Sequence, residues 1–225
     1  EGLDGAPGSD VPTARMPDGF DLSSAVVQRI GARDYLFVGA LNGRVYCIDV
    51  AGRGDFDLAT DTPGTTRRVW SYPNDYPQAT QPSPLGSIRG SVAYRPSADG
   101  RGTIIVPGSA GRVVSLQALP NDPTLVANRA TAVRWVYPPD DAASLGEIVA
   151  TPSIDFGNVY VGARQKDDDA GRFYAIDEDT GALVWQFPTD AQLATGAVVR
   201  TTDFASGPVA VSAAAIGGGM PNTVY

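Results

Sequence analysis

The sequence contains no histidine, and it has one cysteine, Cys47, and one lysine, Lys166, among its 225 residues. Without histidine, Ser-His-Asp and Cys-His catalysis and histidine-ligated zinc cannot occur within this chain. A lone cysteine also excludes an intrachain disulfide and any metal site built from several cysteines. Because Cys47 lies in an alternating apolar run, we expect it to be a buried small hydrophobic residue.

Glutamate is scarce too, since 22 of the 25 acidic residues are aspartate and 16 of the 17 basic residues are arginine. Aspartate favours turns rather than helices, as do the 26 glycines and 18 prolines, so this composition is typical of a turn-rich β protein. The net charge of -8 disfavours binding to nucleic acid, which requires Lys and Arg to neutralise phosphates. We therefore expect no nucleic-acid partner.

Long apolar runs are absent from the sequence, and no segment approaches the roughly 18 residues that would span a bilayer. The N-terminal residues also lack the charged and apolar regions of a signal peptide. We expect no membrane span in this chain. The sequence begins at Glu1 rather than at methionine, which favours a mature or trimmed product.

The three tryptophans all occur in short phrases of one design. Trp70, Trp135 and Trp185 are each followed two residues later by Tyr or Phe and then by Pro, in WSYP, WVYP and WQFP. In a strand, the Trp and the second aromatic lie on one face, and the Pro ends the strand because it donates no ladder hydrogen bond. The phrase predicts one strand design used three times.

A second phrase precedes each tryptophan strand: GRVYCID, GRVVSLQ and GRFYAID, with NTVY at the end of the sequence. The distances from Tyr46, Val114 and Tyr174 to the next tryptophan are 24, 21 and 11 residues, so the first two hairpins carry insertions of 13 and 10 residues. Insertions confined to one hairpin are typical of stacked repeats with exposed loops. We expect the two long hairpins to be variable contact surfaces.

Two more apolar strands precede each of these phrases, which makes every unit a four-stranded antiparallel meander of about 40 to 50 residues, the period of a propeller blade. The sequence thus predicts an all-β fold, a β-propeller with about three and a half blades and an incomplete ring. We expect the first strand of each blade to be innermost and the tryptophan strand outermost. Because propellers have about four to eight blades, we expect the chain to be part of a longer polypeptide. A lead-in or linker over residues 1–25 precedes blades at about 26–73, 86–138, 146–188 and 195–225.

The third repeat resembles the tryptophan-docking motif of the PQQ-like β-propeller repeat family, which includes quinoprotein alcohol dehydrogenases and outer-membrane-assembly lipoproteins of the BamB type. The matching positions are Ala175, Asp177, Thr180, Gly181 and Trp185. The first repeat keeps Cys47-x-Asp49 and Trp70, and the second keeps Ser115-x-Gln117 and Trp135. The likeness extends as a four-strand pattern over about residues 26 to 225.

The motif carries a structural role that follows from its residue types. Asp177 and Thr180 are expected to hydrogen-bond backbone groups of the turn, and Gly181 to adopt a positive φ. The resemblance implies that Trp185, like Trp70 and Trp135, packs against the neighbouring blade and fastens the two blades together. Buried in this way, each indole would contribute a large apolar surface.

The resemblance also implies what a catalytic member would need. The family's dehydrogenases hold pyrroloquinoline quinone (PQQ) above a calcium ion, with a catalytic Asp, acidic and amide calcium ligands and often a disulfide between adjacent cysteines. Here Cys47 has no partner, and Glu147 is expected to be a solvated loop charge. We expect no catalytic, cofactor-binding or metal-binding residue in this chain, and PQQ with calcium only if missing blades complete a site.

Two loops have alternative interpretations. The segment KDDDAG places Asp167, Asp168 and Asp169 together, where carboxylates could coordinate Ca²⁺, although an exposed hairpin tip explains them as well. The Pro-rich segment 72–86 is either a partner-binding segment with polyproline character or a stiff connection between blades.

The sequence favours a non-catalytic propeller outside the cytoplasm, in the periplasm or at the cell surface, acting as a scaffold or interaction module with other protein subunits of an envelope or surface assembly. The first alternative is a fragment of a PQQ-dependent dehydrogenase whose cofactor site lies in missing blades. The second is a surface propeller that binds glycans or matrix.

Overall fold

The computed structural model describes residues 23–51, 67–74, 83–139, 142–165 and 170–189, and the backbone of three strands at 197–200, 210–215 and 223–224. Several sequence predictions lie outside the described residues. They concern most of the lead-in (1–22), the first insertion (52–66), the centre of the Pro-rich segment (75–82) and Asp167 to Asp169.

The strands in chain order are β1 Val26–Ile30, β2 Arg33–Gly39, β3 Val45–Asp49, β4 Arg67–Tyr72, β5 Ala93–Arg95, β6 Thr103–Gly108, β7 Arg112–Gln117, β8 Val133–Tyr137, β9 Ser153–Asp155, β10 Asn158–Arg164, β11 Gly171–Asp177, β12 Leu183–Thr189, β13 Ala197–Arg200, β14 Ala210–Ala215 and β15 Thr223–Val224. A five-residue helix, α1 Pro123–Ala127, lies between β7 and β8.

These strands form four antiparallel meanders, the arrangement of propeller blades. The first sheet is β1-β2-β3-β4, the second β5-β6-β7-β8, the third β9-β10-β11-β12, and the described part of the fourth is β13-β14-β15. The first strands of consecutive sheets lie next to one another, β1 beside β5, β5 beside β9 and β9 beside β13. The predicted all-β, four-strand organisation is confirmed, with the first strands innermost and about three and a half blades in an open array.

Each tryptophan strand contains one extra residue immediately before its tryptophan. Trp70 pairs with Cys47 and Arg68 with Ile48, which leaves Val69 without a partner in the register. The same shift occurs before Trp135 and before Trp185. A bulge of this kind turns the residue that follows it toward a different direction, so the three sheets aim their indoles in the same way.

The apolar core lies between the sheets, because the middle strands are buried on both faces. In β6 and β7, Ile104, Val106 and Val114 pack in a cluster with the first sheet. Their neighbours Ile105 and Val113 pack in a second cluster with the third sheet. This alternation is the period of two that a strand imposes, and it makes the second sheet the shared wall of two cores.

Two segments that connect consecutive sheets insert apolar side chains into these cores. They share a short sequence pattern that was not among the predictions. Leu85 and Ile88 lie in the first cluster and are fully buried. Leu145 and Ile148 occupy the corresponding place in the second cluster. The shared pattern, Leu-Gly-x-Ile, precedes the first strand of its own sheet by a few residues. It is a weak sequence signal, because only two copies exist and the loops before them differ in length.

Cys47 is a buried residue of the first cluster, as predicted. Burial raises the pKa of its thiol well above the ordinary value, and the charge of Asp49 acts in the same direction. A thiol kept protonated in this way is a poor nucleophile.

None of the helical segments in the described ranges combines the length and apolar character of a membrane span.

Ser115 occupies the position in the second sheet that Cys47 and Ala175 hold in the other two, opposite the tryptophan. Its Oγ is buried and has no hydrogen-bond partner among the described residues. An unsatisfied buried hydroxyl costs free energy. We expect Ser115→Ala to raise the free energy of unfolding by about 1 kcal/mol in urea titrations.

A matched control is Thr131→Val, because the Thr131 Oγ1 donates to the carbonyl of Gln117 at 2.6 Å in the same sheet. That substitution is expected to lower the free energy of unfolding by about 1 kcal/mol. If Ser115→Ala proved as destabilising as Thr131→Val, the Ser115 hydroxyl would have to be satisfied in the native protein.

Candidate functional site

Two of the three indoles bridge one sheet to the next through their ring nitrogens. Trp70 of the first sheet is fully buried, and its Nε1–H donates to the carbonyl of Ala118 in the second sheet at 2.8 Å. Trp135 of the second sheet is 7% exposed, and its Nε1–H donates to the carbonyl of Glu178 in the third sheet at 2.7 Å. Both acceptors directly follow the last residue of a third strand, β7 or β11.

The turn that receives Trp135 is built by the predicted motif residues. Asp177 Oδ1 accepts from the backbone N–H of Thr180 at 2.8 Å, from its hydroxyl at 2.7 Å, and from the N–H of Asp179 at 3.2 Å. The hydrogen bonds from the Thr180 hydroxyl and backbone, followed by that from Asp179, lower the pKa of the Asp177 carboxyl. The turn is therefore held by an ionised carboxylate at neutral pH.

Gly181 leaves room for the Trp135 indole because it has no side chain. Its φ is 73°, and a Cβ built on it would lie 2.6 Å from Cγ of Trp135. An L-residue at this position would be strained by its backbone angle and would also collide with the indole. Ala175, the remaining turn-side motif position, is fully buried and pairs with Trp185 across the strands.

Trp185 is partly exposed in the third sheet. Its side chain is 38% exposed, and it packs on aromatic residues of its own sheet, with centroids 6.1 Å from Tyr160 and 6.3 Å from Phe173. The resemblance implies that this indole packs against the next sheet, whose matching turn lies outside the described residues, so that contact stays a prediction. The turn of the same motif receives Trp135 of the preceding sheet.

The outer strand β12 consequently exposes a row of apolar side chains. Beside Trp185, three neighbours on this strand are among the most exposed large hydrophobic residues: Leu183 at 42%, Val184 at 52% and Phe187 at 44%. The equivalent strand β4 buries Trp70 and Ser71 and leaves Val69 half-buried. We call Leu183, Val184, Trp185 and Phe187 the β12 apolar row.

The second insertion, residues 118–132, contacts the preceding sheet rather than extending freely from its own. The N–H of Ser71 in β4 donates to the carbonyl of Arg129 at 3.2 Å. Asn74 Nδ2 donates to the carbonyl of Asn128 at 2.9 Å. The hairpin therefore contacts the preceding sheet of the same molecule, and the exposed residues of α1 remain on its outer side. Its role as a contact surface for partners stays a prediction.

Arginines of the GR phrases fasten each tryptophan strand at its end, a role that the sequence analysis missed. Arg44 donates to the carbonyl of Pro73, and Arg112 donates to that of Pro138 at 2.8 Å. In the third sheet Arg172 donates to the side chain of Gln186 at 3.5 Å. The signal was available, because a GR phrase accompanies every aromatic-Pro phrase, but the acceptors are backbone carbonyls.

The third sheet also meets the second through ion pairs beside Trp135. Glu178 is paired with Arg95 of β5, and Asp179 Oδ1 lies 3.6 Å from Arg134 Nη2 of β8. Burial raises the pKa of the Glu178 carboxyl, and this effect outweighs the opposing charge of Arg95. Arg95 is 41% exposed and keeps much of its hydration, whereas the Glu178 side chain is only 12% exposed.

The raised pKa of Glu178 determines the direction in which the free energy of unfolding should change with pH. Because the folded protein raises the pKa of Glu178, its contribution to stability is full below the unfolded-state pKa and is lost as pH rises through the folded-state pKa. We expect Glu178→Gln to leave the free energy of unfolding at pH 7 unchanged or higher. As the pH is lowered from 7 to 4.5, the ordinary pKa of this carboxyl, the free energy of unfolding of wild type should rise relative to that of Glu178→Gln.

The measurement is urea unfolding of both proteins across that pH range, with Asp179→Asn as the control because its side chain is 87% exposed. The difference between Asp179→Asn and wild type should stay flat. A loss of more than about 1 kcal/mol in Glu178→Gln at pH 7 would show that the ion pair outweighs burial.

Glu147 is not the isolated solvated charge that the sequence suggested. Its backbone pairs with Arg164, and the two side chains approach to 3.6 Å. Within the described ranges, the structure brings together no group of three His, Cys, Asp or Glu side chains that could hold a metal ion. The alternative Ca²⁺ ligands Asp167 to Asp169 lie outside those ranges.

Scans of the sequence against protein-family models and against curated proteins find no match. Among solved structures, the chain is similar to a europium-containing methanol dehydrogenase, with 19% identity and a TM-score of 0.45 over 77% of this chain and 27% of that one. It is similar to the quinohemoprotein alcohol dehydrogenase of Comamonas testosteroni, with 19% identity and a TM-score of 0.44 over 76% of this chain and 21% of that one. It is also similar to BamB of Moraxella catarrhalis, with 16% identity and a TM-score of 0.41 over 88% of this chain and 46% of that one.

The chain thus spans about a quarter of the length of these dehydrogenases and nearly half that of BamB. The assignment to propeller-type blades rests on the strand order within each sheet and on the contacts between sheets.

Proposed function

We propose that the chain is a non-catalytic β-propeller scaffold or protein interaction module outside the cytoplasm, in the periplasm or at the cell surface, and that its partners are other protein subunits of an envelope or surface assembly. The observation that carries the proposal is the second insertion, whose helix α1 has no buried residue. Binding residues are concentrated on loops that a rigid scaffold positions. The side chain of Val126, which is 48% exposed, offers an apolar contact point on this helix.

Several polar side chains of the described sheets make structural bonds. Asp177 and Thr180 close a turn, Glu178 pairs with Arg95, and Glu147 pairs with Arg164. This use of side chains supports a scaffold role. The alternative of a PQQ-dependent dehydrogenase would need calcium and quinone ligands from outside the described residues, so we derive no catalytic step.

Site-directed photo-crosslinking in the source cells tests the proposal. A photoreactive residue at Val126 or at Ala127 should give a discrete adduct with another protein of the extracytoplasmic fraction. The matched control is Arg29, whose side chain is 65% exposed on β1, outside the second insertion; no such adduct is expected there.

Three results would contradict the proposal. The first is recovery of the protein in the cytoplasmic fraction. The second is crosslinking from positions 126 and 127 only to the chain itself. The third is a quinone absorption band together with alcohol oxidation after incubation of the purified protein with PQQ and Ca²⁺, which would establish the enzyme alternative.

A further inference from the structure

We propose that residues 118–132 act as a strap that joins the first and second sheets into one cooperative unit, and that the contact between the second and third sheets opens before it. The strap is the second insertion, which the sequence places in an otherwise short hairpin. This inference concerns the order of opening and goes beyond the scaffold function.

Two hydrogen bonds hold the base of the strap to the end of β7 in the second sheet. The N–H of Gln117 donates to the carbonyl of Ala132 at 2.9 Å, and the Thr131 hydroxyl donates to the carbonyl of Gln117 at 2.6 Å. Its outer part is shaped by α1, where Asp122 Oδ1 accepts from the N–H of Thr124 at 2.7 Å and Pro123 occupies the first turn. These bonds fix where the returning segment 128–130 lies.

From that position the strap makes three hydrogen bonds to the first sheet, two to its last strand β4 and one to Asn74 just beyond that strand. Ala118 accepts the indole N–H of Trp70 at 2.8 Å. Arg129 accepts the N–H of Ser71 at 3.2 Å, and Asn128 accepts the side chain of Asn74 at 2.9 Å. All three acceptors are backbone carbonyls, so opening of the two sheets would break all three bonds together.

The contact between the second and third sheets lacks such a strap, because only residues 178–182 separate β11 from β12. Trp135 makes the equivalent indole bond, but the additional contacts there are two ion pairs: Glu178, 12% exposed, with Arg95, 41% exposed, and Asp179, 87% exposed, with Arg134, 37% exposed. Each of these ion pairs has a partner that solvent screens, so each contributes little to stability, whereas the strap adds a hydrogen bond between the backbones of Ser71 and Arg129. The contact between the second and third sheets is therefore less stable than that between the first and second.

Indole hydrogen exchange on the intact chain measures the two joints directly, because each Nε1–H is released only when its contact opens. We expect the Trp70 indole to exchange at least about tenfold more slowly than that of Trp135. The Trp185 indole, which is 38% exposed, should exchange fastest and serves as the reference.

Two variants test whether the strap is the cause. Asn74→Ala removes one strap contact and should speed Trp70 exchange about fivefold while leaving Trp135 unchanged. The matched control is Asn121→Ala, an exposed strap residue for which the structure shows no hydrogen bond to the first sheet. Replacing residues 118–132 by the sequence of residues 178–182, together with Gln117→Asp, should bring Trp70 exchange to the rate of Trp135.

The proposal is overturned if Trp135 exchanges as slowly as Trp70 in the intact chain, or if Asn74→Ala has no more effect on Trp70 than Asn121→Ala. These two readouts use proteins with at most one surface substitution, so they decide the question even if the strap replacement fails to fold.

Discussion

Trp70→Ala is expected to lower the free energy of unfolding by about 4 kcal/mol, the range found when a large buried aromatic side chain is truncated. Trp70 is fully buried between the first two sheets, and its removal also leaves the carbonyl of Ala118 without its donor. The same substitution at Trp185, which is 38% exposed, should cost only about 1 kcal/mol. Urea unfolding of the two variants under one set of conditions gives the comparison.

The conservative variant Trp70→Phe separates the two contributions at this site. It keeps most of the apolar ring but removes the Nε1–H, so we expect it to be less destabilising than Trp70→Ala. If Trp185→Ala were as destabilising as Trp70→Ala, the β12 apolar row would have to be covered in the native protein.

Gly181→Ala is expected to lower the free energy of unfolding by about 3 kcal/mol. A left-handed backbone costs an L-residue roughly 1 to 2 kcal/mol, and the new methyl group would lie 2.6 Å from Cγ of Trp135, a contact that forces the indole to shift. The indole N–H of Trp135 should then exchange faster as well, because its acceptor Glu178 belongs to the same turn.

Gly157→Ala provides the matched control in the same sheet. Gly157 has a φ of 72°, nearly that of Gly181, but a Cβ there would meet nothing within 4 Å. We therefore expect it to show the backbone cost alone, about 1 kcal/mol. Equal losses for the two variants would mean that Gly181 does not seat the indole.

The strands were predictable from the sequence because side-chain alternation is a local property. Within a single phrase such as GRFYAID, the period of two and the flanking turn residues already specify a strand. The turn chemistry of Asp177, Thr180 and Gly181 was predictable for the same reason, since the hydrogen bonds that close the turn join residues within three positions of one another.

The contacts between sheets were less predictable, because the groups that accept the indoles are backbone carbonyls. Ala118 and Glu178 perform the same task with unrelated side chains, so no residue type marks the acceptor. For this reason the sequence did not show that the turn of the intact motif in the third repeat receives Trp135 of the preceding sheet.

The fate of the second insertion could not be read from its length or polarity. A hairpin of this kind extends into solvent or folds back with nearly the same composition. What returns it to the first sheet is a set of main-chain bonds from Arg129 and Asn128, which carry no sequence pattern.

The indole contacts give the array a direction. Each of the first two sheets carries its tryptophan in its own repeat and finds its acceptor in the next one, so the contact between neighbours is unequal on its two sides. Duplicating or deleting one whole repeat would add or remove one indole and one acceptor together and leave every other joint intact. The length of such an array can therefore change by single repeats without redesign of its interior.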